Sequence, residues 1–208
     1  MKKNNSPYTA AITGGGFLLE ETNILLPLLQ SPNRIALLKD EKINNRLLHI
    51  NAESSRDRAI FEIARRYDAM SADFWSAYCN MDESQQIIAN FFVILKTYKI
   101  CFDLHVNVTM RKWNSISKSV SHEDLMLEFN EISSNDDFVA SWSEATQKKV
   151  GSAYLTILRK IGMLDRDNAL RSVQSNNMDF YLRIGEPWFL EACLLQPYEI
   201  EAIRKSMD

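Results

Sequence analysis

The stretch Glu83-Ser-Gln-Gln-Ile-Ile-Ala-Asn-Phe-Phe-Val-Ile-Leu-Lys-Thr-Tyr-Lys-Ile-Cys-Phe102 decides the fold of this chain. It predicts one long helix with apolar side chains on almost every side. Such a helix is typical of the centre of a helical bundle, because each of its faces needs a partner. Its longest apolar run, 87–95, is far shorter than the about 20 residues of a membrane span. We therefore expect a soluble, cytoplasmic bundle protein built around this helix.

The sequence on either side of this helix predicts a mainly α protein. Its 208 residues include only six glycines and five prolines, and apolar residues recur with a period near 3.6. Pro27 predicts a kink in the first helix, and Gly162 is the glycine expected just beyond the end of a later one. The other helices are expected at 17–30, 33–48, 104–115, 142–161, 187–195 and 197–206, with two more that begin near Ser55 and Ser121.

A small β-hairpin is expected near the carboxyl end. The apolar residues Met178, Phe180, Leu182 and Ile184 alternate with polar ones, which is the period of a half-buried strand. A second strand over 169–174 would pair with it across a Ser-Asn-Asn turn. A helix followed by a hairpin is the layout of a winged helix. The expected division is a helix-turn-helix-like lobe over 1–70 and a second helical lobe over 71–208, which together could form one compact domain.

Charge is spread unevenly along the chain. The totals are 24 Lys and Arg against 27 Asp and Glu, a net charge of −3, which excludes a generally sticky polycation. Yet 96–118 carries a net charge of +4, 119–145 carries −7 with no base, and 146–171 carries +4 again. A DNA-binding function would therefore be confined to a bounded face, which the acidic stretch limits or orients.

Motifs of catalysis and of metal binding are missing. The glycines 14–16 are followed by Phe-Leu-Leu rather than by the residues of a phosphate-binding loop, and the three histidines lack metal-ligand spacing. No nucleophile has a recognisable base, and the cysteines Cys79, Cys101 and Cys193 have apolar neighbours that predict buried thiols. We therefore expect that the protein is not an enzyme and that it binds no cofactor, no metal and no small-molecule substrate.

Clustered bases supply the candidate DNA contacts. In a helix-turn-helix, the amino-terminal part of the second helix meets base edges, and the helix that begins Trp-Ser-Glu-Ala-Thr carries two lysines and two hydroxyl donors in its early turns. Other bases flank the apolar face of the helix from Ser55 and precede Trp113. The candidate residues are Arg56, Arg58, Arg65, Arg66, Arg111, Lys112, Ser143, Thr146, Lys148 and Lys149.

Four motifs together resemble the BrxA family, the small subunits of BREX bacteriophage-defence systems. They are Gly14-Gly-Gly-Phe-Leu-Leu-Glu-Glu-Thr22 with Tyr8 before it, Ser55-Arg-x-Arg58, Trp142-Ser-x-x-Thr-x-x-Lys149 and Ile161-Gly-Met-Leu164. The resemblance covers most of the chain, in order. It implies a mainly helical protein, similar in part to NusB, whose helix-turn-helix-like elements bind double-stranded DNA. It also implies other BREX proteins as partners.

Two further functions stay open at this point. The protein could be an adaptor that docks larger defence components through the acidic stretch 119–145 and through apolar residues near the carboxyl end, namely Trp188, Phe189, Leu194 and Leu195. It could also bind RNA in the manner of NusB, which rests on fold analogy alone.

Overall fold

The computed structural model describes residues 5–207, and all of their regular structure is helical. Residues His105–Met110 form one π-helical turn between two α-helices. The α-helices, in chain order, are α1 (Ile12–Gly15), α2 (Leu19–Leu29), α3 (Arg34–Asn44), α4 (Glu53–Asp68), α5 (Ala72–Tyr78), α6 (Glu83–Thr97), α7 (Lys99–Leu104), α8 (Arg111–Trp113), α9 (His122–Asn135), α10 (Asp137–Ala140), α11 (Glu144–Lys160), α12 (Asp179–Arg183), α13 (Trp188–Ala192) and α14 (Pro197–Lys205).

Helix α6 lies at the centre of the molecule, as predicted. Asp82 caps its amino end in a reciprocal pair with Gln85, and residues 88–95 are all buried. The ring of Phe92 packs against rings from α5, α12 and α13, with centroid separations of 4.9–5.8 Å. Rings from three other helices thus converge on one residue of α6, which makes this helix the axis of the core.

The single helix expected over 83–102 is in fact two. Tyr98 has an extended backbone, with φ −116° and ψ 101°, so α6 ends at Thr97 and α7 begins at Lys99. From there α7, the π-turn and α8 run on continuously to Trp113. Periodicity missed the break because apolar residues continue through it. At the break, the hydroxyl of Tyr98 makes buried polar contacts.

Those contacts belong to a network around Arg66, whose side chain is only 1% exposed. Its guanidinium donates to the carbonyl oxygens of Gly16 and Phe17 at 2.5 and 2.8 Å and to the Tyr98 hydroxyl at 3.1 Å. The Tyr98 hydroxyl in turn donates to the buried carboxylate of Glu62 at 2.7 Å. Burial in the first place, and the bond to Glu62, raise the pKa of Tyr98 although Arg66 opposes them. The network joins α4 and α6 to the glycine-rich segment.

The glycine-rich segment is ordered, and its first two glycines are helical. The helix expected to start at Phe17 begins only at Leu19, because Leu18 adopts a left-handed conformation with φ 48°. Helix α1 packs against both α4 and α11. A Cβ atom on Gly14 would stand 1.9 Å from Cδ of Arg58, so only glycine lets Arg58 lie across this helix.

The β-hairpin wing is wrong. No strand occurs within residues 5–207, and residues 164–170 make only isolated bridges, Leu164 with Leu170 and Ser119 with Ala169. Asp179–Arg183 is helix α12, in which the adjacent residues Phe180 and Tyr181 are both buried. Two neighbours in a strand would face opposite sides of a sheet, whereas here both rings reach the core, Phe180 beside Phe74 and Tyr181 beside Phe92 and Phe189. The winged-helix layout therefore has no wing.

Other local predictions have mixed outcomes. Gly162 follows the end of α11 with φ 77°, as expected of a glycine in that place. Of the cysteines predicted to be buried, Cys101 and Cys193 are, but Cys79 is exposed. Helix α4 begins at Glu53 after Ala52, without the predicted serine cap.

Two apolar clusters form the core. The larger one takes residues from both sides of position 70, among them Ile12 and Phe17 from the amino-terminal part, while the smaller joins α2 to α4. The division into lobes over 1–70 and 71–208 stays a prediction. Within the described residues no helix is both long and apolar enough to cross a membrane.

Replacing Arg66 by Met will destabilise the protein by about 3–5 kcal/mol, because it leaves the partly buried Gly16 carbonyl without its donor, removes one of the two bonds to the Phe17 carbonyl and takes the buried cation away from the Tyr98–Glu62 pair. Arg65→Met is the matched control. Arg65 is partly exposed and lies 3.9 Å from the same carboxylate, so its loss will cost at most about 1 kcal/mol. Urea unfolding measures both free energies. Equal losses would show that the buried network does not hold the fold.

The π-turn places His105 in the core, where burial lowers its pKa to about 4 despite the bond to the Ala192 carbonyl. Its Nε2 donates to that carbonyl at 2.7 Å, and its Nδ1 lies 2.8 Å from the Tyr154 hydroxyl. Since a carbonyl only accepts, Nε2 carries the hydrogen of the neutral ring and Nδ1 accepts from the hydroxyl. The folded protein thus resists protonation of this histidine.

The free energy of unfolding will therefore decrease as the pH is lowered through a defined window. His105 takes up a proton near pH 6.5 in the unfolded chain but only near pH 4 in the folded chain. The stability that comes from keeping this histidine neutral is therefore complete above pH 6.5, and it is lost as the pH falls to about 4. Between about pH 7.5 and about pH 5 the wild type should lose about 2 kcal/mol more than a His105→Gln variant. His122→Gln, at a partly exposed position, should keep the wild-type dependence. Parallel curves for wild type and His105→Gln in urea unfolding would refute the assignment.

Candidate nucleic-acid interface

Helices α9, α10 and α11 form a consecutive packed unit. Ser121 and Asp124 cap α9 reciprocally, Asp136 caps α10, and Ser143 caps α11 by accepting from the Thr146 backbone N–H at 3.2 Å. Both α10 and α11 pack against α9. His122 adds a polar link to α11, because its Nε2 lies 3.1 Å from the carbonyl oxygen of Lys148. A helix, a short turn of helix and a longer helix thus lead up to and include the helix whose early turns were predicted to meet base edges. That role stays a prediction, as does the helix-turn-helix-like lobe over 1–70.

The amino end of α11 is open to solvent. Its inner face is buried through Val150, Tyr154 and Leu158, which follow the expected apolar stripe, whereas Lys148 and Lys149 are exposed in its second turn. Lys148 forms an ion pair with Glu144 at 2.5 Å, and this hydrogen bond lowers the pKa of Glu144. Lys149 has no carboxylate partner among the described residues. Two cations therefore project close to the amino end of α11, and one of them is paired with Glu144.

The two predicted hydroxyl donors, Ser143 and Thr146, already form hydrogen bonds at the amino end of α11. The Ser143 and Thr146 hydroxyl oxygens lie 3.0 Å apart, and Ser143 also accepts from the Thr146 backbone. Both side chains fix where α11 starts. They order the segment that carries the lysines, and a contact with a ligand would compete with the cap.

The four arginines of α4 separate into two kinds. Arg56 is 7% exposed and donates to the carbonyls of Lys42 and Ile50, both at 2.7 Å, while Arg66 is held in the buried network. These two cannot meet phosphates in this structure, which corrects the prediction for them. Arg58 is exposed beside α1, and Arg65 is partly exposed, with its guanidinium 5.1 Å from the Tyr98 ring centre.

The sequence carried a signal for the two buried arginines. Arg56 stands four residues before Ile60 and seven before Ile63, and Arg66 stands three after Ile63, so both share the apolar face of α4. The spacing of Arg58 and Arg65 places them on other sides. The prediction counted positive charges along the chain and did not consider on which face of the helix each arginine lies.

Arg111 and Lys112 lie in acidic surroundings. They border a groove of about 690 Å³ whose other wall is α9, with Glu128 and Glu131. Lys112 binds Asp124 at 2.5 Å; burial raises the pKa of that carboxyl, but the bonds from Lys112 and Ser121 outweigh it and lower the value. The structure thus brings these two bases to the acidic stretch rather than to the lysines of α11.

The apolar residues named for an adaptor surface are core. Phe189, Leu194 and Leu195 are at most 5% exposed, and only Trp188 is half-buried. Of the described residues, no group of three or more His, Cys, Asp or Glu side chains could hold a metal ion.

Together these features define a class: a helical protein whose exposed bases form a candidate nucleic-acid interface on helix ends. Comparison with known sequences gives the family. The model of the BrxA family matches residues 6–179, and the chain belongs to this family. It is therefore a BREX-related protein, and BrxA is not a known enzyme family.

One solved structure supports the fold. The crystal structure of an uncharacterized protein from Magnetospirillum magneticum is similar with a TM-score of 0.76 over 90% of this chain and 98% of that chain, at 21% sequence identity. At this identity the likeness concerns the fold alone. No curated protein matches the sequence significantly.

Proposed function

We propose that this protein is a non-catalytic, double-stranded-DNA-binding component of a BREX phage-defence system. The observation that carries the proposal is the amino end of α11, where Lys148 and Lys149 are exposed on a capped helix of 17 residues that is anchored by its opposite face. Membership of the BrxA family supplies the context of phage defence and of other BREX proteins as partners. The protein acts in the cytoplasm.

Binding at this end is driven by phosphates. Two ammonium groups and the positive end of the helix dipole attract the DNA backbone, and the early turns of α11 are the part that would approach base edges. The exposed Arg58 and the partly exposed Arg65 of α4 supply further positive charge, and α1 packs against both α4 and α11. Affinity depends weakly on sequence and strongly on salt, because each neutralised phosphate releases counterions.

Reversing both charges, Lys148→Glu with Lys149→Glu, will lower affinity for a duplex of about 30 base pairs by about tenfold or more near 100 mM salt. The slope of log affinity against log salt will shrink by about two units, because two phosphate contacts are lost. Fluorescence anisotropy measures both quantities.

The matched control is Arg204→Glu with Lys205→Glu on α14. There too one base is paired with a glutamate four residues earlier, Lys205 with Glu201, and its exposed neighbour Arg204 has no ion pair with any residue of 5–207. The total charge changes equally. If both double variants weaken binding alike, affinity depends on the total charge of the protein and not on a contact at α11. If the wild type shows no salt-dependent binding of the duplex, the proposal that this protein binds DNA is wrong.

Arg111→Glu with Lys112→Glu will change duplex affinity by less than about twofold, because the carboxylates of α9 keep phosphates away from this groove. The same anisotropy titration checks it. A loss as large as that of the α11 double variant would mean that the duplex crosses α9.

An adaptor role is the second candidate, and one observation favours it. The outward face of α9 presents Leu127, which is 65% exposed, between Glu123 and Glu131. An apolar residue framed by acids suits a basic amphipathic partner. Leu127→Asp would then abolish co-purification of other BREX proteins that survives nuclease and high salt, with duplex affinity unchanged. Co-purification that nuclease abolishes would remove this candidate.

A further inference from the structure

A cavity of about 280 Å³ lies between the end of the π-turn and the segment that joins α13 to α14. Its walls include Met110, Leu194, Leu195 and Ile200, which are apolar. Leu194 has φ 61°, a left-handed conformation that glycine adopts at less cost, yet a leucine side chain occupies the position and is buried. The cavity is of a size and composition that suit a small ligand with an apolar body.

One wall carries a polar group without a partner. The indole Nε1 of Trp113 is buried and has no hydrogen-bond acceptor among residues 5–207. A buried N–H without an acceptor costs free energy, so such groups are rare and call for an explanation. The ammonium of Lys118, 4.3 Å from the centre of the same ring, makes the surroundings more favourable to an anion. Because that N–H exposes almost no surface, a ligand in the cavity would meet the ring of Trp113 and not its N–H.

Two opposite charges border the same cavity without pairing. Glu191 on α13 and Arg204 on α14 both line it, and neither forms an ion pair within the described part of the chain. Elsewhere on α14, Lys205 pairs with Glu201. Unpaired charges of both signs beside an apolar pocket are the complement of a zwitterion.

From this arrangement we infer that the cavity binds a free apolar α-amino acid of about the size of leucine, methionine or phenylalanine. The ligand carboxylate binds the Arg204 guanidinium, its ammonium binds Glu191, and its side chain packs on the apolar wall and the ring of Trp113. This site is separate from the proposed DNA contact, and no covalent step is involved.

Isothermal titration calorimetry of the full chain with L-leucine tests the inference, together with methionine and phenylalanine as further probes. We expect saturable binding with a Kd below about 1 mM. N-acetyl-leucine lacks the ammonium and isoamylamine lacks the carboxylate, so each should bind at least about tenfold more weakly. Equal affinity for all three compounds, or no binding of any amino acid at about 10 mM, would overturn the inference.

Variants locate the site. Arg204→Gln and Glu191→Gln should each weaken leucine binding about tenfold, whereas Lys205→Gln, on the same helix but away from the cavity, should leave it unchanged. Trp113→Phe identifies the indole N–H resonance in the NMR spectrum, and that resonance should shift in the wild type on addition of leucine. An unmoved Trp113 resonance, or equal affinities of all three glutamine variants, would place any binding elsewhere and refute the site.

Discussion

The structure depends on the buried guanidinium of Arg66. It offers its donors to the carbonyls of Gly16 and Phe17 and to the Tyr98 hydroxyl, which passes the interaction on to Glu62. Asn90 donates a second bond to the Phe17 carbonyl, at 2.7 Å, from the central helix. A chain turn that would otherwise bury unpaired carbonyl groups is thereby held between α4 and α6.

The consequences of this anchor extend to the proposed interface. Because residues 16 and 17 are fixed, the preceding helix α1 is held against α4 on one side and α11 on the other. Gly14 and Gly15 allow this close approach, since a Cβ on Gly15 would already lie 3.2–3.3 Å from atoms of Glu62 and Arg66. The glycine-rich motif, which carries part of the resemblance to the family, thus positions helices.

Periodicity predicted the helices well where one face alone is buried. Helices α9 and α11 have one apolar stripe and a capped start, and they begin close to the predicted residues; α4 has the same kind of stripe but begins at Glu53 without a side-chain cap. It failed where apolar residues continue through a break, as at Tyr98, and where the segment is short. Over 178–184 an alternating pattern fits both a strand and a five-residue helix, and packing of adjacent rings on the core selects the helix. Of the candidate site residues, Arg56 and Arg66 were misjudged because net charge was counted without helical phase.

The central claim is that duplex DNA meets the amino end of α11 and avoids the acidic face of α9. Hydrogen–deuterium exchange of the full chain, with and without saturating duplex, tests it most directly. Exchange should become slower over residues 143–150 and around Arg58 and should not change over 122–135. Protection that centres on 122–135, or no protection anywhere at saturating DNA, would contradict it.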